Sequence, residues 1–232
     1  MTTTTTETAP SVSTRQRPAS RAWATTGIAA AIASFASVYL SMTLSPEYVP
    51  GSVITSEQID AGLMAQQPVI VAFHIVTLLS GLLLVVVAAG LWRRLRATLG
   101  PESLLPMVAF AGLLLVAVAQ MLGTGLDTEF LFGVGDSAIN LPSDIGFYSH
   151  WIATIPWLWA GGGLAAIAVG VAQRSRAVPS WIGVVSFVLG VPTLLLAASP
   201  LQYMAAGPGA LWLLVVSIGF VAGDRAYRRG AL

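Results

Sequence analysis

The chain has 232 residues, of which 56% are hydrophobic and only 9% charged, against about 25% charged in an ordinary soluble domain. A water-soluble fold of that composition lacks the polar surface to cover its core, so bilayer hydrocarbon is the solvent that fits. Its 11 basic and 10 acidic residues nearly cancel, and with no basic patch interleaved with aromatics they give no footprint for nucleic acid. The absence of cysteine excludes disulfides, thiolate metal sites, iron–sulfur clusters and thiol catalysis.

In chain order, residues 1–21 are rich in Thr, Ser and Pro, without hydrophobic periodicity, and read as a disordered cytoplasmic tail. Arg15, Arg17 and Arg21 lead into the first apolar stretch, 24–44. That stretch has the ~20 residues of a full span, longer than the apolar region of a signal peptide, so it is expected to remain as the first helix. Five further apolar stretches follow at 69–91, 104–126, 147–172, 181–198 and 206–222, each near the length needed to cross ~30 Å of hydrocarbon. Backbone groups in lipid must be satisfied within their own segment, which makes these stretches helices. The expected fold is therefore an all-α bundle of six transmembrane helices over 22–225, closed by a short tail at 226–232.

Charge fixes the expected orientation. The arginines form four groups: Arg15, Arg17 and Arg21; Arg93, Arg94 and Arg96; Arg174 and Arg176; Arg225, Arg228 and Arg229. With the N-terminus inside, all of them fall on the cytoplasmic side, as the positive-inside rule requires. Glu47, Glu57, Asp60, Asp127, Glu129, Asp136 and Asp144 then fall outside. In the first outer loop, Thr55-Ser-Glu-Gln58 has the form of a capping box opening a short helix toward Gln67. The second outer loop, 127–146, is expected to fold over the outer face. Small residues at Gly162, Ala166 and Gly170, four apart, permit close helix packing inside one bundle. Pro156 and Pro192 should kink the spans that contain them.

No charged residue lies inside the stretches so bounded, which argues against a proton-coupled pump. Two histidines are the candidates for chemistry. His74 lies on the second span, on a helical face with Thr77 and Gly81. His150 lies near the outer start of the fourth, sharing a face with Thr154, Trp157 and Gly161. Both spans descend from outside, so both imidazoles belong to the outer half and suggest a cleft there. Two histidines on separate helices suit axial ligation of one haem, or a metal site completed by Asp144 or Asp127. The plain alternative is that each bonds a backbone carbonyl or a loop carboxylate. Protonation near acidic loops would make them pH-responsive. No Gly-x-Ser-x-Gly elbow occurs, and a chain without lysine has no phosphate-binding Gly-x-x-x-x-Gly-Lys loop.

Leu91-Trp-Arg-Arg-Leu-Arg96 closing the second span, Val178-Pro-Ser-Trp-Ile-Gly183 opening the fifth and the Thr/Ser-led loop before the second are similar to those of a broad group of bacterial six-helix membrane proteins. The resemblance implies architecture and carries no active site. The expected role is a non-enzymatic protein of the bacterial inner membrane, a sensor, protein partner or small-ligand binder acting through the outer cleft. A haem- or quinone-linked redox protein and a small-solute transporter are the alternatives.

Overall fold

The computed structural model describes residues 21–44, 51, 53–133 and 141–223. The expected tails 1–21 (apart from Arg21) and 226–232, with Glu47, Asp136 and the last three arginines, lie outside the described residues. The helices are α1 (Ala22–Leu44), α2 (Ser56–Ala65), α3 (Gln67–Leu99), α4 (Leu105–Thr124), α5 (Asp127–Gly133), α6 (Pro142–Thr154), α7 (Ala160–Ala172), α8 (Ser180–Ala197) and α9 (Ala206–Gly223). No strand occurs among the described residues. Six stretches are long and apolar enough to cross a bilayer: Ala22–Leu44, Gln67–Leu99, Leu105–Gly133, Ser143–Ser175, Ser180–Ala197 and Gln202–Ala222.

The long helices reverse the pattern of a soluble protein. On α1 the face toward the bundle carries Ala24, Gly27, Ala30, Ala31, Ser34, Ser37 and Ser41, while Ile32, Phe35, Tyr39 and Met42 point outward. Outward Ile75, Leu79, Leu82 and Val86 on α3, and Val184, Val188 and Leu195 on α8, repeat it. Small residues inside let backbones approach, and large apolar ones outside meet hydrocarbon, as membrane helices require. This is a multi-pass helical protein of membrane type.

Helix neighbours follow chain order and then close. α1 packs on α3, α3 on α4, α4 on α7, α7 on α8, α8 on α9, and α9 returns to α1. The closing seam sets Trp23 against Phe220, ring centroids 5.2 Å apart, and seats Gly27 against Ser217. Both ends of the described chain therefore lie at one end of the bundle, here the terminal end. At the far end, α2, α5 and α6 gather around a second apolar cluster that includes Leu63, Phe73, Phe130, Ile145 and Ile152. The Thr55 capping box forms, with the Thr55 hydroxyl accepting from the Gln58 amide and the Gln58 side chain from that of Thr55.

Two boundaries differ from the sequence-based expectation for a physical reason. α3 continues to Leu99, past the arginines at 93, 94 and 96, because Arg94 has partners within the fold. Buried at 3% exposure, it donates to the Thr98 hydroxyl at 2.6 Å and to the Ala177 carbonyl at 3.0 Å. That carbonyl lies just beyond the C-terminal end of α7, where the helix dipole favours a cation. The fourth span is interrupted. Pro156 lacks an amide and loses one helical hydrogen bond; there α6 tightens into a 3-10 turn over Ile155–Trp157 and α7 begins anew at Ala160, whereas Pro192 stands inside α8 without ending it.

Ala166 and Gly170 face α8, against Gly190 and the Phe187 ring, whereas Gly162 lies under Trp159. The tightest crossing is Gly112 on α4 against Gly161 on α7, where a Cβ on either residue would collide with the carbonyl oxygen of the other. No flexible side chain can yield there. Gly161→Ala should cost about 1–3 kcal/mol and lower the thermal midpoint of the detergent-solubilised protein, whereas Gly207→Ala, where no atom stands near the added carbon, should leave it unchanged. Arg94→Met keeps much of the side chain's length and removes its donors. It should lower the midpoint by several degrees in the same melts, and a midpoint equal to wild type would deny Arg94 its clamping role.

Candidate functional site

Among the described residues, the densest polar arrangement at the far end is built on Asp127. α4 ends at Thr124, the Gly125 amide turns back to the Leu122 carbonyl, and the chain resumes helically at Asp127. An acidic residue in a first turn complements the helix dipole. Asp127 points inward and is 1% exposed. Its carboxylate accepts from the Tyr148 hydroxyl of α6 at 3.0 Å and lies 3.2 Å from Nδ1 of His74 on α3. Phe130, one turn further along α5, stacks flat on Tyr148 at 4.1 Å between centroids. One carboxylate thus joins α3, α5 and α6, and an aromatic pair covers it.

A polar seam continues from His74 toward the middle of the bundle. Thr77 bonds Ser37, and Ser80 bonds Ser34 at 2.8 Å. Above these pairs, the Trp157 indole donates to the Ser41 hydroxyl at 3.1 Å. Below them, Leu84, Val87, Ala88 and Leu91 join Trp23, Ala24, Ala30 and Ala31 in one apolar core. On α4, Gln120 stands beside Gly81, buried at 1% exposure with neither end of its amide hydrogen-bonded. The seam divides α1 and α3 lengthwise into a polar half toward the far end and an apolar half toward the termini.

The other residues singled out from the sequence separate. His150 is exposed; its backbone carbonyl accepts from the Thr154 hydroxyl at 2.7 Å, and Thr154 lies 3.5 Å from the Tyr203 hydroxyl. α6 packs chiefly on α2 and α1, and α3 on α1 and α4, so His74 and His150 do not stand on a shared helix–helix contact. Gly81 serves the approach of α4, with the Ala117 carbonyl 3.2 Å from where its Cβ would be. Asp144 stays at the start of α6, accepting from the Leu141 amide at 3.4 Å and the Ser143 hydroxyl at 3.2 Å. No cluster of three or more His, Asp or Glu side chains placed to hold a metal occurs among the described residues.

The partnership of Asp127 and Tyr148 has no counterpart in the sequence-based expectation. Reading the third span as ending at 126 assigned Asp127 to a loop, yet Phe130-Leu-Phe132 follow immediately. That apolar run was the available sign that the chain folds back as a helix and carries its first residue inward. No family model, curated protein or solved structure matches the chain. The site must therefore be read from its own chemistry.

The arrangement has a hydrogen-bonded acid, phenol and imidazole, and no nucleophile with an adjacent base. It can hold a proton or ion-pair a cation, and it mechanically couples three helices. Tyr148→Phe keeps the stack on Phe130 and removes the donor to a buried acceptor, which should cost about 1–3 kcal/mol. Thermal melts of that variant beside Asp127→Asn check this, and a midpoint equal to wild type in both would show the cluster to be structurally idle.

Proposed function

We propose that this is a non-enzymatic sensor of the bacterial inner membrane, with both termini in the cytoplasm and its input at the Asp127 cluster on the outer side. The resemblance to bacterial six-helix membrane proteins belongs to this proposal. The observation that carries it is the sharing of one buried carboxylate by His74 and Tyr148 where three helices meet. Histidine is the side chain whose charge ordinarily changes within the physiological range. A proton gained or lost by the contact between this carboxyl group and the imidazole changes the net charge enclosed there, and so alters how α5 and α6 sit on α3. The signal then passes along the α1–α3 seam toward the arginine-bearing end, where a protein partner would receive it.

Support for the orientation comes from the segregation of charge, with every arginine among the described residues (Arg21, Arg93, Arg94, Arg96, Arg174 and Arg176) next to the terminal end. The cysteine-free chain makes the test direct. A single Glu57→Cys variant should react with a membrane-impermeant maleimide on intact cells, and Arg96→Cys should react only after lysis. The reverse pattern would invert the proposed topology. Hydrogen exchange in lipid nanodiscs tests the sensing step itself. Protection over residues 127–133 and 141–154 should differ between about pH 5 and pH 8, and Asp127→Asn should remove the difference. Equal protection in the wild type at both values would sink the sensor reading. A Soret band or stoichiometric metal on the purified protein, lost in a His74→Ala, His150→Ala double variant, would replace that reading with the haem-linked redox alternative.

A further inference from the structure

The turn between α7 and α8 holds a cation where the backbone favours glycine. As α7 stops, the Ala177 amide reaches back to the Ala172 carbonyl at 3.1 Å and the Arg176 amide to the Gln173 carbonyl at 2.8 Å, the pairing of a Schellman motif. That motif puts the residue before Ala177 in the left-handed region, where glycine is usual because it has no Cβ to clash. Here the residue is Arg176, with φ of 55°, and no other non-glycine residue has a positive φ among the described residues. A strained position that keeps a long cationic side chain points to a use for that side chain.

The surroundings say what it can meet. Arg174 and Arg176 are both exposed, and neither guanidinium has an ion pair or hydrogen bond among the described residues. This end of the bundle also carries Arg21, Arg93, Arg94 and Arg96, against a single described acid, Glu102. The fitting ligand is an anion, and the planar fork of a guanidinium matches a phosphate. Past Pro179 the chain enters α8, where Trp181, Val184, Val188, Val191 and Leu195 recur three and four apart and are 42–66% exposed. They form one outward stripe, about 21 Å long at 1.5 Å per residue, which exceeds the ~15 Å of hydrocarbon in one leaflet. Trp181 heads the stripe with its ring against Gly219 of α9, as tryptophans sit at headgroup level. A free phosphate or an acidic protein would leave the stripe unused.

We propose that the 174–176 turn and the outward face of α8 bind an anionic phospholipid, its phosphate on the two guanidinium groups and an acyl chain along the stripe. Any basic segment beside a membrane attracts anionic lipid, by about fivefold per arginine. The left-handed Arg176 and the apolar stripe beyond it make this turn a site within that general field. It lies at the opposite end of the bundle from the Asp127 cluster and does not rest on that cluster's role as a sensor.

The test uses the full chain in detergent, with dioleoyl phosphatidylglycerol, dioleoyl phosphatidylcholine and inorganic phosphate as probes and retained lipid read by native mass spectrometry. One phosphatidylglycerol should be held about 25-fold more tightly than phosphatidylcholine, the product of two arginines at about fivefold each. Inorganic phosphate at the same concentration should not displace it. Arg176→Gly relieves the left-handed strain, so its thermal midpoint should equal or exceed that of the wild type while the lipid preference falls about fivefold. Arg174→Gln should lose as much. Arg96→Gln, which removes a charge stacked on Trp92 at the same end, should keep the wild-type preference. No preference for phosphatidylglycerol, its displacement by inorganic phosphate, an unchanged preference in both turn variants, or an equal loss in Arg96→Gln would each overturn the proposal.

Discussion

Hydrocarbon offers a polar group nothing to bond to, and most of this structure answers that constraint. Helices satisfy their own backbones, and polar side chains inside the bundle must find one another. Ser34 meets Ser80, Ser37 meets Thr77, and Trp212 meets Ser186. Each such contact between membrane helices is modest, about 0.6 kcal/mol on average, so their number matters less than their placement. The two serine pairings of α1 fix its rotation against α3, because a helix turned by one residue would present Ser34 and Ser37 to lipid. Where the constraint is not met from within, at Gln120 and Trp159, the exception is local and stands beside a change in the backbone or a close helix approach.

The second organising feature is the absence of side chains at the crossings. Gly112 and Gly161 bring α4 and α7 into backbone contact, and Gly90 makes room for the Trp23 ring. Close approach of this kind replaces the hydrophobic driving force that lipid does not supply between helices. It also explains how a chain rich in alanine and glycine builds a defined bundle around a few large residues, chiefly Trp159, Trp212 and Phe220. The far end is organised differently. There Phe73, Phe130 and Tyr148 interlock as in a soluble core, with one carboxylate enclosed.

Much of this was legible from residues alone. Run lengths were enough to locate six apolar stretches, and a Thr-x-x-Gln pattern marked the start of α2. Pro156 pointed to an irregularity where α6 gives way to α7. What the chain could not disclose without coordinates was pairing between distant segments. Asp127 and Tyr148 are 21 residues apart, and His74 and Asp127 are 53 apart. Nothing local distinguishes an acid that will be enclosed from one that will face water. Likewise Arg94 resembles its neighbours Arg93 and Arg96 in sequence, and only the arrival of Ala177 sets it apart. The histidines illustrate the same limit, since helical spacing assigned each to a face but could not say which helix that face would meet.

The closure of α9 onto α1 has a consequence for how the protein is made. Helices leave the ribosome in order, and α1 can dock on α3 as soon as α3 is inserted. Its other flank, with Trp23 and Gly27, receives Phe220 and Ser217 only once α9 has followed α8 into the bilayer. Until then the first helix waits in the bilayer with a groove of small residues open to lipid. The ring therefore shuts last at the seam between α1 and α9, and loss of α9 would leave the contacts of α1 with α3, α3 with α4, α4 with α7 and α7 with α8 in place and the bundle unsealed.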